Sequence, residues 1–213
     1  MKEVAKIYLK PGKEGPVKRF HPWIFSGAIA HATANPEEGD IVECYAADKS
    51  FLAYGHFMKG SLAVKIFSFV KEKIDDDFWY RKVEDAYRMR ENLGITLNNH
   101  TNAYRLIHNE GDYMPGLIVD VYGSLAVLQA HTAGMFAIRE ILAKAIVKAC
   151  KGTVTHVYNK SADAMRKMTG KQVEDGFLIG NLAISEILEN ENRFLVHAII
   201  CQKTEFFLDQ LEN

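Results

Sequence analysis

The chain has 213 residues, 48% of them hydrophobic and 25% charged, the profile of a globular protein with one large or two small domains. Its 26 Lys+Arg and 27 Asp+Glu leave a formal net charge of -1, so no global positive field draws it to nucleic acid, and any such binding must come from a local patch. Cys44, Cys150 and Cys201 are odd in number and set among apolar neighbours, which argues against a disulfide framework, and no CxxC pair offers a metal site. The N-terminus has no apolar segment, and no run approaches the roughly 18 apolar residues of a membrane span, so a cytoplasmic protein without a membrane partner is expected.

The first seventy residues alternate short β-type runs with turn chemistry. Strands are expected over residues 4–9, 41–45, 51–56 and 62–70, with Pro11-Gly12 and Gly15-Pro16 as breaks. Short strands at this spacing suggest a small closed or nearly closed sheet, because closure removes open edges. At Asp75-Asp76-Asp77 the pattern changes. Acids favour the N-terminus of a helix, and Trp79, Val83, Ala86 and Leu93 then recur at helical spacing until Gly94.

Beyond that helix, residues 104–108 and 117–122 suit strands, and the second turns through Gly123-Ser124 into residues 125–131 as a hairpin. A helix from about Phe136 carries Ile138, Ile141, Leu142, Ala145, Ile146 and Ala149 on one face and stops at Gly152. A strand follows over residues 154–158, and Ser161 suits the N-cap of a short helix ending near Gly170. Residues 182–188 and 194–200 make a last hairpin. Because the connections are mostly hairpins, not successive βαβ units, the expected class is α+β.

Two segments concentrate chemistry. Lys18-Arg19-Phe20-His21-Pro22-Trp23-Ile24-Phe25 places two cations, a histidine and three aromatic rings on a proline-constrained stretch, supplying the phosphate contacts and stacking faces that exposed RNA bases require. The plainer reading makes Trp23, Ile24 and Phe25 core residues with solvated charges nearby. In residues 102–120, Arg105, His108, Glu110 and Asp112 resemble an acid-base cluster beside a glycine-containing loop. Here the plainer reading, a polar turn whose acids bond backbone N–H groups, is favoured over catalysis.

Several stretches together resemble one family. Leu9-Lys10-Pro11-Gly12, Arg19-Phe20-His21-Pro22-Trp23-Ile24-Phe25-Ser26-Gly27, Gly39-Asp40-Ile41-Val42-Glu43, Phe51-Leu52-Ala53-Tyr54-Gly55 and residues 102–120 are similar to the ribosomal-RNA cytosine-5 methyltransferases. Those enzymes combine a PUA domain, a central EEHEAD domain and a Rossmann domain that binds S-adenosylmethionine. The final residues, from Gln202-Lys203-Thr204-Glu205-Phe206 to Asn213, resemble the segment that leads into the Rossmann domain. Where the family has Gly, Gly and Arg in that segment, this chain has Cys201, Glu205 and Leu211; it also has Asn109 at a family glycine.

The resemblance implies a PUA-like β-barrel over residues 1–73, a mixed α/β EEHEAD-like domain over 74–200 and a linker remnant over 201–213, with no Rossmann methyltransferase domain. It implies RNA-binding residues at Lys10, Lys18, Arg19, His21, Trp23, Lys160 and Arg166, with Trp23 packing beneath the cations and Lys167 extending the basic surface. Arg105 and Asp120 become structural or substrate-orienting. The surviving cofactor motif reduces to Gln202, Lys203, Thr204 and Phe206. No catalytic residue is expected, since none of the cysteines stands beside a proline as the family nucleophile does, and no glycine-rich cofactor turn is found.

The expected function is therefore the RNA-binding part, ribosomal RNA being the favoured target, of a SAM-dependent methyltransferase-like protein, without its own cofactor or methyl transfer. The alternative is the substrate-binding subunit of a split enzyme whose methyltransferase is a separate chain. Apolar residues from 194 to 200 and Phe206-Phe207-Leu208 further predict a homo-oligomer formed through the C-terminal region.

Overall fold

A computed structural model describes residues 4–96, 100–170, 172–182, 184–189 and 192–197. The first sheet is built from β1 (Ala5–Leu9), β2 (Trp23–Phe25), β3 (Ile29–Ala32), β4 (Ile41–Tyr45), β5 (Phe51–Phe57) and β6 (Leu62–Ser68) in the order β2-β6-β5-β4-β1-β3. All its pairings are antiparallel except β1 with β4. In β1 the period of two sends Ala5, Ile7 and Leu9 inward and leaves Lys6 and Tyr8 on the outer face. The two edge strands, β2 and β3, are separated only by a 3-10 turn at Ser26–Ala28, so the sheet has to curl until its edges approach. The enclosed core contains Ile7, Leu9, Ile24, Val42, Cys44 and Val64. A single helical turn, α1 (Gly15–Lys18), begins with proline in its first turn and lays Val17 on this core.

The helix α2 (Asp76–Asn92) starts where the acid run predicts: Asp75 accepts the Phe78 N–H at 3.0 Å as an N-cap. Trp79, Val83 and Ala86 are buried as the spacing requires, whereas Leu93, at the C-cap, is 68% exposed. The remaining elements are β7 (Ala103–His108), a 3-10 turn at Asn109–Asp112, β8 (Leu117–Tyr122), β9 (Leu125–Ala130), α3 (Ala133–Ala137), α4 (Arg139–Ala149), β10 (His156–Asn159), α5 (Ala162–Thr169) and β11 (Gly176–Ile179). They form a five-stranded sheet in the order β11-β10-β9-β8-β7. One face carries α2 and α4 over Leu106, Ile107, Val119 and Leu128; a bulge between Arg105 and Ile107 lets both Leu106 and Ile107 enter that core. Against the other face lies the hairpin of β12 (Ile184–Glu189) and β13 (Asn192–His197), which buries Ile187 and Val196 over Tyr122 and Tyr158.

The expectation of an α+β fold with no Rossmann-type methyltransferase architecture does not survive. β9 and β10 run parallel, joined by the helical crossover α3–α4, a βαβ unit in a chain whose connections were expected to be mostly hairpins. Local patterns identified both strands, but nothing local shows that a strand entered through a helix runs parallel to the one before it. Ser161 also behaves differently. It precedes α5 as expected, but instead of capping the helix its hydroxyl donates to Asn159 Oδ1 at 2.6 Å and accepts the Ala130 N–H at 2.9 Å, tying β9 to β10.

One of the joints between the two sheets lies at His56. His56 of β5 is buried between Phe67 and Trp79, nearly parallel to the Trp79 ring at 6.0 Å and 10°. A methyl group at Gly134 in α3 would lie 2.3 Å from the imidazole, so glycine is what lets α3 reach the barrel. Among the described residues, no helix is long and apolar enough to cross a membrane, and no group of three potential metal ligands occurs.

Candidate nucleic-acid interface

The segment after β1 leaves the barrel core at Lys10 and returns at Trp23. Within it, α1 lifts Lys18 and Arg19 to the surface, and Phe20 adopts φ 63°, left-handed backbone that a bulky residue rarely occupies. That twist reverses the chain so that His21 and Trp23 lie beside Arg19. A cleft of about 290 Å³ forms there, lined by Lys13, Arg19, His21, Trp23 and Phe25 over a floor that includes Val17 and Ile24. The Trp23 backbone N–H lies 3.3 Å from His21 Nδ1, and the Trp23 indole stands edge-on to both His21 and Phe25. Trp23 and Phe25 are 37% and 50% exposed, so the rings are open to a ligand instead of packing beneath the cations; Ile24 alone of the three turns into the core.

Lys10 and Lys18 border this cleft without lining it. Lys10 Nζ donates to Gly27 O at 2.9 Å, while Lys18 Nζ is 3.9 Å from Glu14 Oε1 with much of its side chain in solvent. Lys13, Phe20 and Phe25 were not among the expected RNA-binding residues, although the two phenylalanines belong to the segment whose rings were expected to offer stacking faces. Phe20 is 63% exposed and meets Phe69 edge-on at 5.3 Å. The pair Trp23 and Phe25 held the signal for Phe25, since residues two apart share a face of a strand.

The second conspicuous segment folds as two fixed ion pairs. Arg105 Nε and Nη2 grip Asp120 Oδ1 and Oδ2 at 2.8 and 3.0 Å, the carboxylate being buried. Arg90 holds Asp112 through both terminal guanidinium nitrogens, and Asp112 Oδ2 accepts the His108 N–H at 2.6 Å. Asn109 and Tyr113 take φ 47° and 51°, which matches glycine-like demands at the turn. These residues build the turn and leave no free acid-base pair. Glu110 is the exception, because it leaves the turn to meet the cleft. Its Oε1 accepts the Trp23 indole N–H at 3.0 Å and lies 3.4 Å from Lys65 Nζ. Burial works to raise the Glu110 carboxyl, but the Trp23 N–H and Lys65 outweigh it and hold the group below its usual range.

Lys160 and Arg166 are not part of this cleft. Lys160 follows β10, and Arg166, on α5, pairs with Asp163 and lines a separate polar depression with Gln172 and Glu174. Gln202, Lys203, Thr204 and Phe206, together with the rest of the C-terminal region expected to associate, lie outside the described residues. Asp120, the buried carboxylate of the second sheet, spends both oxygens on Arg105, so it does not fit the acid that would hold a cofactor ribose.

Residues 7–69 match the family model of a PUA-like domain. Across nearly its whole length the chain is also similar to ribosomal RNA methyltransferases. It is 33% identical over 217 residues to the ribosomal RNA large subunit methyltransferase I of Aeromonas hydrophila, covering 98% of this chain and 53% of that protein. The chain therefore spans about half the length of the curated relatives it matches. Among solved structures, a chain from Streptococcus mutans assigned as a SAM-dependent methyltransferase superposes with a TM-score of 0.76 at 20% identity, over 96% of this chain and 51% of that one. A second, SMU.776, assigned as a methyltransferase and solved with SAH, gives a TM-score of 0.77 at 20% identity, over 97% and 51%. The shared fold overturns the expectation that methyltransferase architecture is absent from this chain.

Proposed function

We propose that this chain holds ribosomal RNA for SAM-dependent methylation at cytosine C5, gripping it in the cleft of Arg19, His21 and Trp23. In this reading a PUA-like barrel over residues 1–73 contributes most of the grip, a second domain over 74–200 orients it, and the protein works in the cytoplasm. The observation that carries the reading is the cleft itself. Two exposed aromatic faces and the cations of Lys13 and Arg19 converge on about 290 Å³ within the residues matched as PUA-like. Lys10 and Lys18 add charge at its rim, and Lys160 and Arg166 act on more distant parts of the RNA.

On the same reading the described residues transfer no methyl group themselves. Support comes from the thiols: burial pushes Cys44 and Cys150 up to about 12, so neither presents the thiolate that attack on cytosine C6 needs. Titration of S-adenosylmethionine into the chain should give no binding signal, and saturable binding would overturn this part. For the RNA grip, electrophoretic shift with ribosomal RNA fragments should show binding that weakens with salt, and Arg19→Ala with Trp23→Ala should reduce it at least tenfold, or about 1.4 kcal/mol or more. Unchanged binding in that pair of variants would remove the cleft from the interface.

A second reading, in which the chain is the RNA-binding subunit of a separate methyltransferase chain or pairs with its own copy, is favoured by the exposed Ile184, Phe194 and Leu195 of the β12–β13 hairpin. Co-purification with a methyltransferase chain, or a dimer in light scattering, would support it; a monomer at high concentration without such a partner would sink it.

A further inference from the structure

We propose that a second site for single-stranded RNA lies on the outer face of the first sheet, where a base stacks on the open side of His31 and so continues the Tyr8 stack, and Lys49 meets its phosphate. The proposal rests on the RNA-binding reading of the Arg19 cleft and extends the RNA path beyond it.

Three rings run across three strands on this face. Tyr8 of β1 is the register partner of both His31 in β3 and Tyr45 in β4. The Tyr8 and His31 rings are stacked with centroids 4.7 Å apart and planes 11° from parallel; Tyr8 and Tyr45 follow at 5.4 Å and 22°. The stack is buried at Tyr45 and exposed at His31. Cross-strand pairing explains the buried end, because adjacent rings stabilise a sheet. It does not require an aromatic ring at the solvent end, where a nucleobase could continue the series.

The surroundings suit a nucleotide. A groove of about 410 Å³ is lined by Tyr8, His31, Pro11, Thr33 and Lys49, and no carboxylate is among its lining residues. Lys49 is held at its lip by the tight turn from Ala46 to Ser50, with φ 66° and its N–H donating to Ala46 O at 3.0 Å. The neighbouring acid, Asp48, directs its Oδ1 to the Ser50 N–H and hydroxyl at 2.9 and 2.6 Å. Leu9 lines both this groove and the Arg19 cleft, so Lys10, which follows it and lines neither, marks the strip between them. One strand crossing that strip would pass Arg19, Lys10 and Lys49 in turn, with rings on either side.

The test uses the intact chain and two fluorescent single-stranded RNAs, roughly four and roughly twelve nucleotides long, read by anisotropy across a salt series. His31→Ala and Lys49→Gly should each weaken the longer RNA about three- to tenfold and leave the shorter unchanged, while Arg19→Ala weakens both. Lys49→Gly should also lower the salt slope by about one for the longer RNA only. Glycine suits the left-handed backbone at this position, so that variant folds even where His31→Ala does not.

Wild-type affinity for the longer RNA in both groove variants would overturn the proposal. Failure of the parent chain to bind either RNA removes the cleft reading and the groove with it. Loss of binding in the groove variants but not in Arg19→Ala supports the groove and removes the cleft.

Discussion

The indole N–H of Trp23 donates to Glu110 Oε1 at 3.0 Å across 87 positions of sequence, and Lys65 approaches the same oxygen at 3.4 Å. A strand of the barrel and the Asn109–Asp112 turn are thereby joined at the edge of the basic cleft. The carboxylate orients the tryptophan while opposing the local positive charge.

Glu110→Gln should therefore raise RNA affinity about two- to threefold at low salt, an effect that fades as salt screens it. The amide oxygen still accepts the indole N–H, so Trp23 stays in place. Because the folded carboxyl is held below its usual value, Glu110 contributes stability at neutral pH that is lost as pH falls through that lowered value. Its partial exposure keeps this contribution under about 1 kcal/mol. Unchanged RNA binding by Glu110→Gln would separate the turn from the interface, and weaker binding would show that the carboxylate does not oppose the RNA.

His56 makes the joint between the sheets sensitive to acid. Its Nδ1 has no hydrogen-bond partner, and burial pushes the imidazole down to about 4. The unfolded chain takes up this proton near its ordinary value of 6.5, so between about pH 6.5 and 4 the unfolded state binds more protons. Stability is fully present above that window and declines as pH falls through it, by about 3 kcal/mol in all. Phe67, Trp79 and Gly134 surround the ring without a charge to offset this. Urea titrations from pH 7.5 to 4 should show the decline, and His56→Leu should flatten it; a parallel decline in the variant would assign the effect elsewhere.

Gly134→Ala should destabilise the chain by about 1–3 kcal/mol, since its methyl group would meet the His56 ring at 2.3–2.7 Å. The damage should be smaller in a His56→Ala background, which empties the colliding volume. Denaturant midpoints for the four-member cycle measure that coupling, and strict additivity would count against the contact.

Arg105→Ala should lower stability by about 2 kcal/mol and leave RNA affinity unchanged. It strips both hydrogen-bond donors from the buried Asp120, a cost reduced by the 41% exposure of the Arg105 side chain. Arg105→Lys should recover only part, because one ammonium cannot reproduce the bidentate fork. A loss of RNA binding without loss of stability would restore a substrate-orienting role to this pair.

The parts legible in the sequence are those whose cause is local. Asp75 caps α2 through the N–H three residues on, and β12 pairs with β13, its near neighbour in sequence, so composition within a few residues suffices. β2, β3 and β11 escaped notice because they are short and exist as strands through their partners. β2 needs β6, about forty residues away, and β11 needs β10 across α5. The parallel alignment of β9 with β10 was hidden for the same reason.

By itself the sequence determined the basic-aromatic character of the Arg19–Trp23 segment, because those residues are neighbours in the chain and Pro22 limits their backbone. Tertiary structure alone decided that Trp23 faces solvent, that Glu110 meets it, that Asp120 and Asp112 are consumed by arginines, and that Lys160 and Arg166 stand apart from the cleft. Each of those outcomes depends on which surfaces two sheets bury against each other, and burial is a property of the packed chain that no local pattern of residues contains.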